Sequence, residues 1–302
     1  MSHSEPSSPR AGVPPPDHRL PARTRLGAVR LQVADLERSV RWYTQILGLE
    51  RQEAGPGAVR LAAKGSARAL LELVERPGAR SAPQRGRPGL FHFAVLLPDR
   101  SELGAFVRHL RDTEEPAGAS DHLVSEALYL RDPDGLGVEV YADRPREEWG
   151  RQDGEVRMAT HPLDLGRLVR EAGEGRWTGM PAGTTMGHIH LHVGDLEEAK
   201  AFYHAALGLD LMVWSYPGAL FLAAGGYHHH LGLNTWAATV EPAGEDEAKL
   251  LDWELVVPEA EHVERAVRAL VSEGYPADSS NGDGTTEDPW GTSLRIRADG
   301  PD

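Results

Sequence analysis

The sequence predicts an α+β protein built from four tandem βαβββ modules. Three observations predict this fold. The segments VADLERSVRWYTQILGLE (33–50) and VGDLEEAKAFYHAALGLD (193–210) align without a gap, each has β-type runs before and after it, and a weaker unit of the same order follows each one. Such internal similarity is the signature of a repeat architecture. The modules start near residues 27, 89, 186 and 250.

Modules one and three share the same element signals. The alternating runs GAVRLQV and GHIHLHV predict their first strands. Asp35 or Asp195 then caps a helix whose apolar positions recur at three- and four-residue spacing, and Gly48 or Gly208 ends it. The β-type runs after the helix are VRLAAK and ALLELVE in module one, and ALFLAAGG and HHHLGLNTW in module three.

Modules two and four correspond to each other more weakly. Their first strands are LFHFAVLLP and LLDWELVVP, and their helices are SELGAFVRHLRD and EAEHVERAVRALVSEG. The turns DPDG at 132–135 and DPWG at 288–291 each introduce a final strand. These turns give the second kind of module its own recognisable end.

The chain of 302 residues is long enough for two domains. Residues 1–24 are rich in Pro, Ser and charge and predict a flexible tail. Residues 25–143 then form a first domain of modules one and two, and residues 186–302 a second domain of modules three and four. Residues 144–185 predict a connector with one short helix, because they carry little strand signal.

Composition excludes several classes of function. A formal charge of −14 argues against nucleic acid or an anionic membrane as a partner, so a small molecule is expected. The sequence has no cysteine, which excludes disulfides, thiolate nucleophiles and iron–sulfur clusters and leaves His, Asp and Glu as metal ligands. Without a long apolar run or a secretory signal, we expect a cytoplasmic protein.

The paired modules and the helix motif DLxxSxxFY...LG resemble the vicinal oxygen chelate superfamily, which includes glyoxalases, bleomycin-resistance proteins and extradiol dioxygenases. The resemblance covers residues 25 to about 298 and is greatest to two-domain proteins of the catechol 2,3-dioxygenase type. It implies that modules pair into vicinal-oxygen-chelate domains with curved mixed sheets. It also implies a metal held by residues of the first and last strands of the modules.

At the ligand positions that the resemblance implies, the four modules differ. The first strands of modules one to four carry, in order, Ala28, His92, His188 and Asp252. On the last strand, after the DPDG-type turn, module two has Glu139 but module four has Arg295. Module three ends on YHHHLGLN and module one on ALLELVE, where Glu72 is the nearest carboxylate.

The pairing of modules decides whether these residues meet. If modules one and two pair, and three and four pair, each half has an incomplete site. If modules two and three pair, within one chain or between chains, one cup collects His92, Glu139, His188 and a histidine from 228–230. Two histidines and one carboxylate are the ligand set of Fe(II) oxygenases. We favour this pairing, with Fe(II) as the metal and Mn(II) or another divalent metal as alternatives.

Strand alternation supports part of this site. In GHIHLHV all three histidines share one face, away from the aliphatic residues that should pack on helices. His92 lies on the face opposite to that of Phe91. The superfamily gives no metal-binding role to His190 and His192, which we interpret as pocket or surface residues.

Four further residues are candidates for catalysis through the resemblance to extradiol dioxygenases. Tyr129 lies ten residues before Glu139, as in that group, and His122 lies seven before Tyr129, where relatives have about nine. The acid–base histidine maps to His229, with His230 ranked second. Alternation from Leu231 and Leu233 favours His228 and His230 in the cup instead, unless a bulge intervenes.

The resemblance and the ligand pattern together predict a metal-dependent extradiol dioxygenase that opens a catechol-type ring with dioxygen. The metal would lower the pKa of a bound phenol, and a histidine would take the second proton. A glyoxalase-like isomerase or thiol transferase, and a metal-free ligand-sequestering resistance protein, are the alternatives. A homo-oligomer is expected, and we predict that the pocket wall is formed by Trp214, Phe221, Asn234 and Trp236.

Overall fold

The computed structural model describes residues 11–83, 86–280 and 282–300. Within them the chain forms two curved eight-stranded mixed sheets with helices packed on them. Module one contributes β1 Arg25–Val33, α1 Leu36–Gln45, β2 Glu50–Gly55, β3 Ala58–Ala62 and β4 Ala69–Glu75. Module two contributes β5 Gly89–Leu96, α2 Arg100–Asp112, β6 Gly118–Asp121, β7 Ser125–Arg131 and β8 Gly137–Asp143.

The connector contains a 3-10 turn at Arg146–Glu148, a two-stranded hairpin of β9 Arg151–Gln152 and β10 Glu155–Val156, and the predicted short helix, α3 Leu165–Glu171. Module three has β11 Thr185–His192, α4 Leu196–Lys200 continued by a π-helix at Ala201–Ala206, β12 Asp210–Val213, β13 Ala219–Ala223 and β14 Leu231–Asn234. Module four has β15 Lys249–Val257, α5 Ala260–Ser272, β16 Ala277–Ser280, β17 Asp283–Glu287 and β18 Ser293–Ala298.

The modules pair two with three and one with four, within one chain. The first sheet has the order β12-β13-β14-β11-β5-β8-β7-β6, and the second has the order β16-β17-β18-β15-β1-β4-β3-β2. We call them sheet 2–3 and sheet 1–4 after their modules. The favoured pairing is therefore confirmed. Each sheet combines a module from residues 25–143 with one from residues 186–302, and these domain limits stay a prediction.

Aspartate caps start the helices as the sequence predicts. The side chain of Asp35 accepts a hydrogen bond from the Arg38 backbone N–H, and Asp195 does the same for Glu198, which satisfies free N–H groups of the first turn. Gly48 follows α1 with φ of +70°, and a Cβ there would overlap the backbone of Gly179.

Among the helices of the described ranges, none combines the length and apolar character needed to cross a bilayer.

The helix motif of one sheet binds the turn motif of the other. The Tyr43 hydroxyl on α1 donates to the Asp132 carboxylate of the DPDG turn at 3.0 Å. The Tyr203 hydroxyl, in the π-helix of module three, donates to Asp288 of the DPWG turn at 2.8 Å. Burial, reinforced by the nearby Asp134, raises the pKa of Asp132 to about 7. Each sheet thus contributes one tyrosine and one aspartate to the contact between them.

Residues 11–24 pack against module three, so the predicted flexible tail is corrected for this stretch. Val13 forms a β-bridge with Leu211, and the Leu20 backbone N–H donates to the Gly208 carbonyl at 2.9 Å. The Leu20 side chain is buried, and Arg19 forms an ion pair of 2.6 Å with Asp210. One buried leucine and these backbone bonds hold a segment whose composition predicts disorder. The rest of the predicted tail, residues 1–10, lies outside the described residues.

Candidate metal centre

Three buried side chains meet at the centre of sheet 2–3. His92 lies on β5, Glu139 on the parallel neighbour β8, and His188 on the antiparallel neighbour β11. Ala94 pairs in register with both Glu139 and His188, so a single methyl group lies between the longer side chains. One potential ligand atom from each of the three residues lies within 4.8 Å of the others. The strands therefore bring together the three predicted ligands.

The electrostatics of this cluster fit a divalent metal. Glu139 Oε2 lies 3.2 Å from His188 Nε2 and 3.0 Å from His92 Nε2. Burial disfavours the charged Glu139, but His188 and His92 outweigh it and hold the pKa of the carboxyl well below its ordinary value. Burial lowers the pKa of His188, which favours the neutral imidazole that a metal binds.

Two buried ring nitrogens of the cluster lack a hydrogen-bond partner among the described residues. His92 Nε2, although close to Glu139, has no hydrogen-bond partner within the part of the chain that the structure describes. The same holds for His188 Nδ1. Buried polar atoms are normally paired, so the unpaired His92 Nε2 beside an ionised carboxylate indicates a place for a cation. The residues present therefore fit a metal with two imidazoles and one carboxylate.

A β-bulge corrects the position predicted for Phe91. In the β5–β11 pair, His190 lies opposite His92, but the next residue, Leu191, lies opposite Leu90. Phe91 is thus the extra residue of a bulge, which breaks the alternation on which its outward placement depended. Its ring centroid lies 4.9 Å from that of His92, and the ring lines the cavity beside the three clustered residues.

Tyr129 and His122 lie together at the edge of the cluster. Tyr129 on β7 pairs in register with Glu139, and its hydroxyl is 2.6 Å from His122 Nε2. His122 Nδ1 is 2.8 Å from the Ala159 carbonyl, which can only accept, so Nδ1 carries the proton and Nε2 accepts from Tyr129. Burial, then the Glu139 charge, raises the pKa of Tyr129 well above its ordinary value and keeps that hydroxyl protonated. The unusual spacing of His122 does not prevent the contact.

Of the three consecutive histidines, His229 faces the cavity. Its ring centroid lies 4.1 Å from that of His188 and 5.0 Å from that of Phe221. The argument from alternation was wrong, because β14 begins only at Leu231 and the histidines precede the strand. Burial, then the neighbouring His188 and His228, lowers the pKa of His229 well below its ordinary value, so the ring is neutral.

The second-ranked candidate, His230, lies elsewhere. Its Nδ1 accepts a hydrogen bond of 3.1 Å from the Ala224 backbone N–H, and its ring packs 4.8 Å from that of Tyr227. Burial, followed by the effect of His228, lowers its pKa to about 3. His230 is not among the residues that line the cavity, so the structure gives it no place near the three clustered residues.

The cavity above the cluster has a volume of about 280 Å³ and aromatic walls. Phe221 and Trp236 line it as predicted, whereas the predicted wall residues Trp214 and Asn234 do not. The sequence analysis missed several lining residues: Phe91, Ser120, Met158, Ala159, Thr160 and Tyr216. Three of these belong to the connector, whose sequence gives no signal of where it folds back.

Asn234 instead fixes two of the remaining histidines. Its side-chain amide donates to His190 Nε2 at 2.9 Å, and its carbonyl oxygen lies 2.6 Å from His192 Nδ1. His190 lines the cavity, which is one of the two positions predicted for it. His192 is buried beside it. Burial lowers the pKa of both rings. They form a neutral wall next to the cluster.

The matching positions of sheet 1–4 hold an ion-pair network. Asp252, which corresponds to His92, pairs with Arg30 at 2.5 Å and with Arg295, which corresponds to Glu139, at 3.1 Å. Ala28 stands where module three has His188. In sheet 1–4 the charged side chains therefore neutralise one another, whereas in sheet 2–3 two histidines and a carboxylate converge.

Fold and site together define a class: proteins of paired βαβββ modules whose curved sheet carries two histidines and a carboxylate on neighbouring strands. The family model of the Glyoxalase/Bleomycin resistance protein/Dioxygenase superfamily matches residues 25–140 and 185–295. The chain belongs to that superfamily. It is 44% identical over 270 residues to catechol-2,3-dioxygenase of Bacillus subtilis (strain 168), covering 88% of this chain and 94% of that protein.

Two solved structures share the fold. A Bacillus subtilis protein described as a dioxygenase superposes with a TM-score of 0.65 at 13% identity, covering 94% of this chain and 87% of that one. Glyoxalase I from Zea mays superposes with a TM-score of 0.55 at 16% identity, covering 90% and 92%. At these identities the likeness concerns the fold only.

Proposed function

We propose that the protein is a metal-dependent extradiol dioxygenase that opens the ring of a catechol-type diol beside its hydroxyl groups. The observation that carries this proposal is the buried cluster of His92, Glu139 and His188 at the base of an aromatic cavity. The 44% identity to a catechol-2,3-dioxygenase over most of both chains supports it. The substrates would be a small aromatic diol and dioxygen.

The three clustered residues would hold the metal, with Fe(II) first and Mn(II) or another divalent metal as alternatives. Two neutral imidazoles and one carboxylate leave a divalent metal with net positive charge and open positions, so that, when bound, it acidifies a phenol and brings diol and dioxygen together. Glu139 contributes the negative charge, and its low pKa keeps it ionised.

The surrounding side chains would orient the diol and move its protons. Tyr129, whose hydroxyl donates to His122, lies beside the cluster and would hydrogen-bond a ring oxygen. His229 has a neutral ring on the opposite wall and would accept a phenolic proton. Phe91, Phe221 and Trp236 would enclose the ring and exclude water. Cleavage adds both oxygen atoms to the ring carbons, which yields a yellow semialdehyde.

The two alternatives have less support. A glyoxalase-like enzyme needs a carboxylate at the last strand of module three, and the cavity residue contributed by that region is His229. A metal-free sequestering protein has no use for the buried, unpaired Nε2 of His92 beside an ionised carboxylate.

The test is turnover after anaerobic loading with Fe(II). Addition of catechol and air should consume one dioxygen per diol and produce yellow absorbance, and Glu139→Gln should abolish both. Loaded protein that consumes no dioxygen with any of a panel of catechols would overturn the proposal. Conversion of a hemithioacetal by the same sample would support the glyoxalase alternative. The homo-oligomer and the cytoplasmic location stay predictions.

A further inference from the structure

Behind His229, a chain of hydrogen bonds leads away from the cavity. His229 Nδ1 lies 2.7 Å from His228 Nδ1, and His228 Nε2 lies 2.8 Å from Asp143 Oδ1. His228 is fully buried, with the rings of Trp149 and Tyr227 at centroid distances of 5.0 and 4.0 Å. A buried histidine thus joins a carboxylate at the end of β8 to the histidine that faces the cluster.

Asp143 is itself held in place. The Tyr227 hydroxyl donates to Asp143 Oδ1 at 3.3 Å, and the Tyr141 hydroxyl lies 2.7 Å from the Tyr227 hydroxyl. Because Tyr227 gives its proton to the carboxylate, Tyr141 must be the donor to Tyr227. Every proton in this group therefore points towards Asp143.

The donor and acceptor roles follow from the carboxylate. An ionised carboxylate only accepts, so His228 Nε2 must carry a proton. For a neutral His228, the imidazole has one donor and one acceptor nitrogen, which makes His228 Nδ1 the acceptor. The proton between the two rings then belongs to His229 Nδ1. His229 Nε2, the nitrogen left for the cavity, is bare.

Packing prevents the ring of His229 from turning over, which would move its Nδ1 away from His228. The ring lies between His188 and Phe221, at centroid distances of 4.1 and 5.0 Å. A turned ring would lose the bond to His228 and leave a buried nitrogen unpaired. The hydrogen-bond chain, and not the shape of the cavity, therefore selects the tautomer.

We propose that Asp143 and His228 are positioning residues that fix His229 in the tautomer with a proton on Nδ1 and a bare Nε2 facing the cavity. The inference deepens the proposed function, because only a bare Nε2 can accept a phenolic proton from a diol. Neither Asp143 nor His228 is among the residues that line the cavity. They act through the orientation and protonation pattern of His229.

The direct test is ¹⁵N NMR of the histidine rings in zinc-loaded protein, since bare and protonated ring nitrogens have separate shifts. His204 serves as the internal reference, because its Nδ1 lies 2.7 Å from the Leu209 carbonyl and must be protonated. The wild-type protein should show His229 with the proton on Nδ1. A proton on His229 Nε2 would overturn the proposal, whatever the enzyme does.

Variants test the source of the tautomer. In His228→Leu, His229 should shift towards the Nε2-protonated form, and in Asp143→Ala it should populate both forms, while the His204 signals stay unchanged. In the Fe(II) enzyme, kcat should fall on the order of 100-fold for His228→Leu with KM nearly constant. A His229 tautomer that stays the same in both variants would also overturn the proposal.

The NMR result does not depend on catalysis, so the two proposals can fail separately. Protein with the expected tautomer and no dioxygenase activity would reject the proposed function alone. An active dioxygenase with the opposite tautomer would reject the role of Asp143 and His228 alone.

Discussion

The hydroxyl of Tyr43 donates to the buried carboxylate of Asp132 at 3.0 Å, which joins the helix of module one to the turn of module two. The same relationship between Tyr203 and Asp288 joins modules three and four. Two sheets of a single chain are therefore fastened by a repeated pair of side chains, and the first pair makes stability depend on pH.

We predict that ionisation of Asp132 lowers the free energy of unfolding as the pH rises. Its pKa is about 7 in the folded protein, so between pH 4 and 7 the folded state holds a proton that the unfolded chain has released. The free energy of unfolding should then fall with rising pH by up to about 1.4 kcal/mol per unit. Asp132→Asn should flatten this dependence in urea unfolding measured across that range.

Asp153→Asn, in an exposed turn, is the matched control and should leave the slope as in the wild type. An Asp132→Asn protein that keeps the full wild-type slope would show that the proton is held elsewhere.

Removal of one histidine from the cluster should weaken metal binding. Loss of an outer partner of a metal ligand already lowers affinity roughly 10–100-fold, so His188→Ala should lower it by at least about 100-fold. Titration calorimetry with Mn(II) measures this change. His161→Ala, at an exposed position, should bind as the wild type does. Equal affinity in the two variants would remove His188 from the ligand set.

Tyr129→Phe should slow turnover without unfolding the protein. The hydroxyl donates to His122 beside the cluster, and a lost proton-handling group lowers kcat roughly 100-fold. Steady-state kinetics with catechol give the value, and Tyr275→Phe, near the remote end of α5, is the control. A kcat within twofold of the wild type would mean that this tyrosine is only a strand residue.

Neutral diols should be preferred to carboxylated ones. Among the residues that the structure describes, those that line the cavity include Glu139 but no lysine or arginine. A ligand carboxylate would be buried there without a partner, which is costly. The kcat/KM for catechol should exceed that for 3,4-dihydroxybenzoate by at least roughly 100-fold, the scale of about 3 kcal/mol. Comparable values for both diols would contradict the neutral-pocket assignment.

Gly187→Ala should destabilise the sheet. Gly187 is the unpaired residue of a bulge between Met186 and His188, and a Cβ there would overlap the hydroxyl of Tyr141. Such overpacking costs about 1–3 kcal/mol. In a Tyr141→Phe background the same substitution should cost less, and a double-mutant cycle from urea unfolding measures the difference. Strictly additive effects would exclude this contact as the cause.

The sequence predicts those features that depend on local signals or on the repeat. Asp35 and Asp195 cap their helices as predicted, because capping involves only neighbouring residues. The convergence of His92, Glu139 and His188 follows from the ligand positions that the superfamily resemblance implies, compared between the modules. The pairing of modules could be argued only because a count of ligands favoured one arrangement.

Other features depend on irregular or distant structure. Alternation placed Phe91 away from the cavity, but one extra residue in the strand turns its side chain inwards. Alternation also favours His230 over His229 if β14 is extended back to His228. The strand begins only at Leu231, three residues later. The partnership of His228 with Asp143, 85 residues apart in sequence, leaves no local pattern at all.

The order of pairing has a consequence for synthesis on the ribosome. Glu139 and His188 are 49 residues apart, whereas Arg30 and Asp252, which join β1 to β15, are 222 apart. Because chains emerge from the N-terminus, sheet 2–3 can be complete before module four has been made. Module one emerges first but waits with an open strand edge until the last module arrives, and such edges attract wrong partners. The nascent chain is therefore most exposed to misassembly at the module that is made earliest.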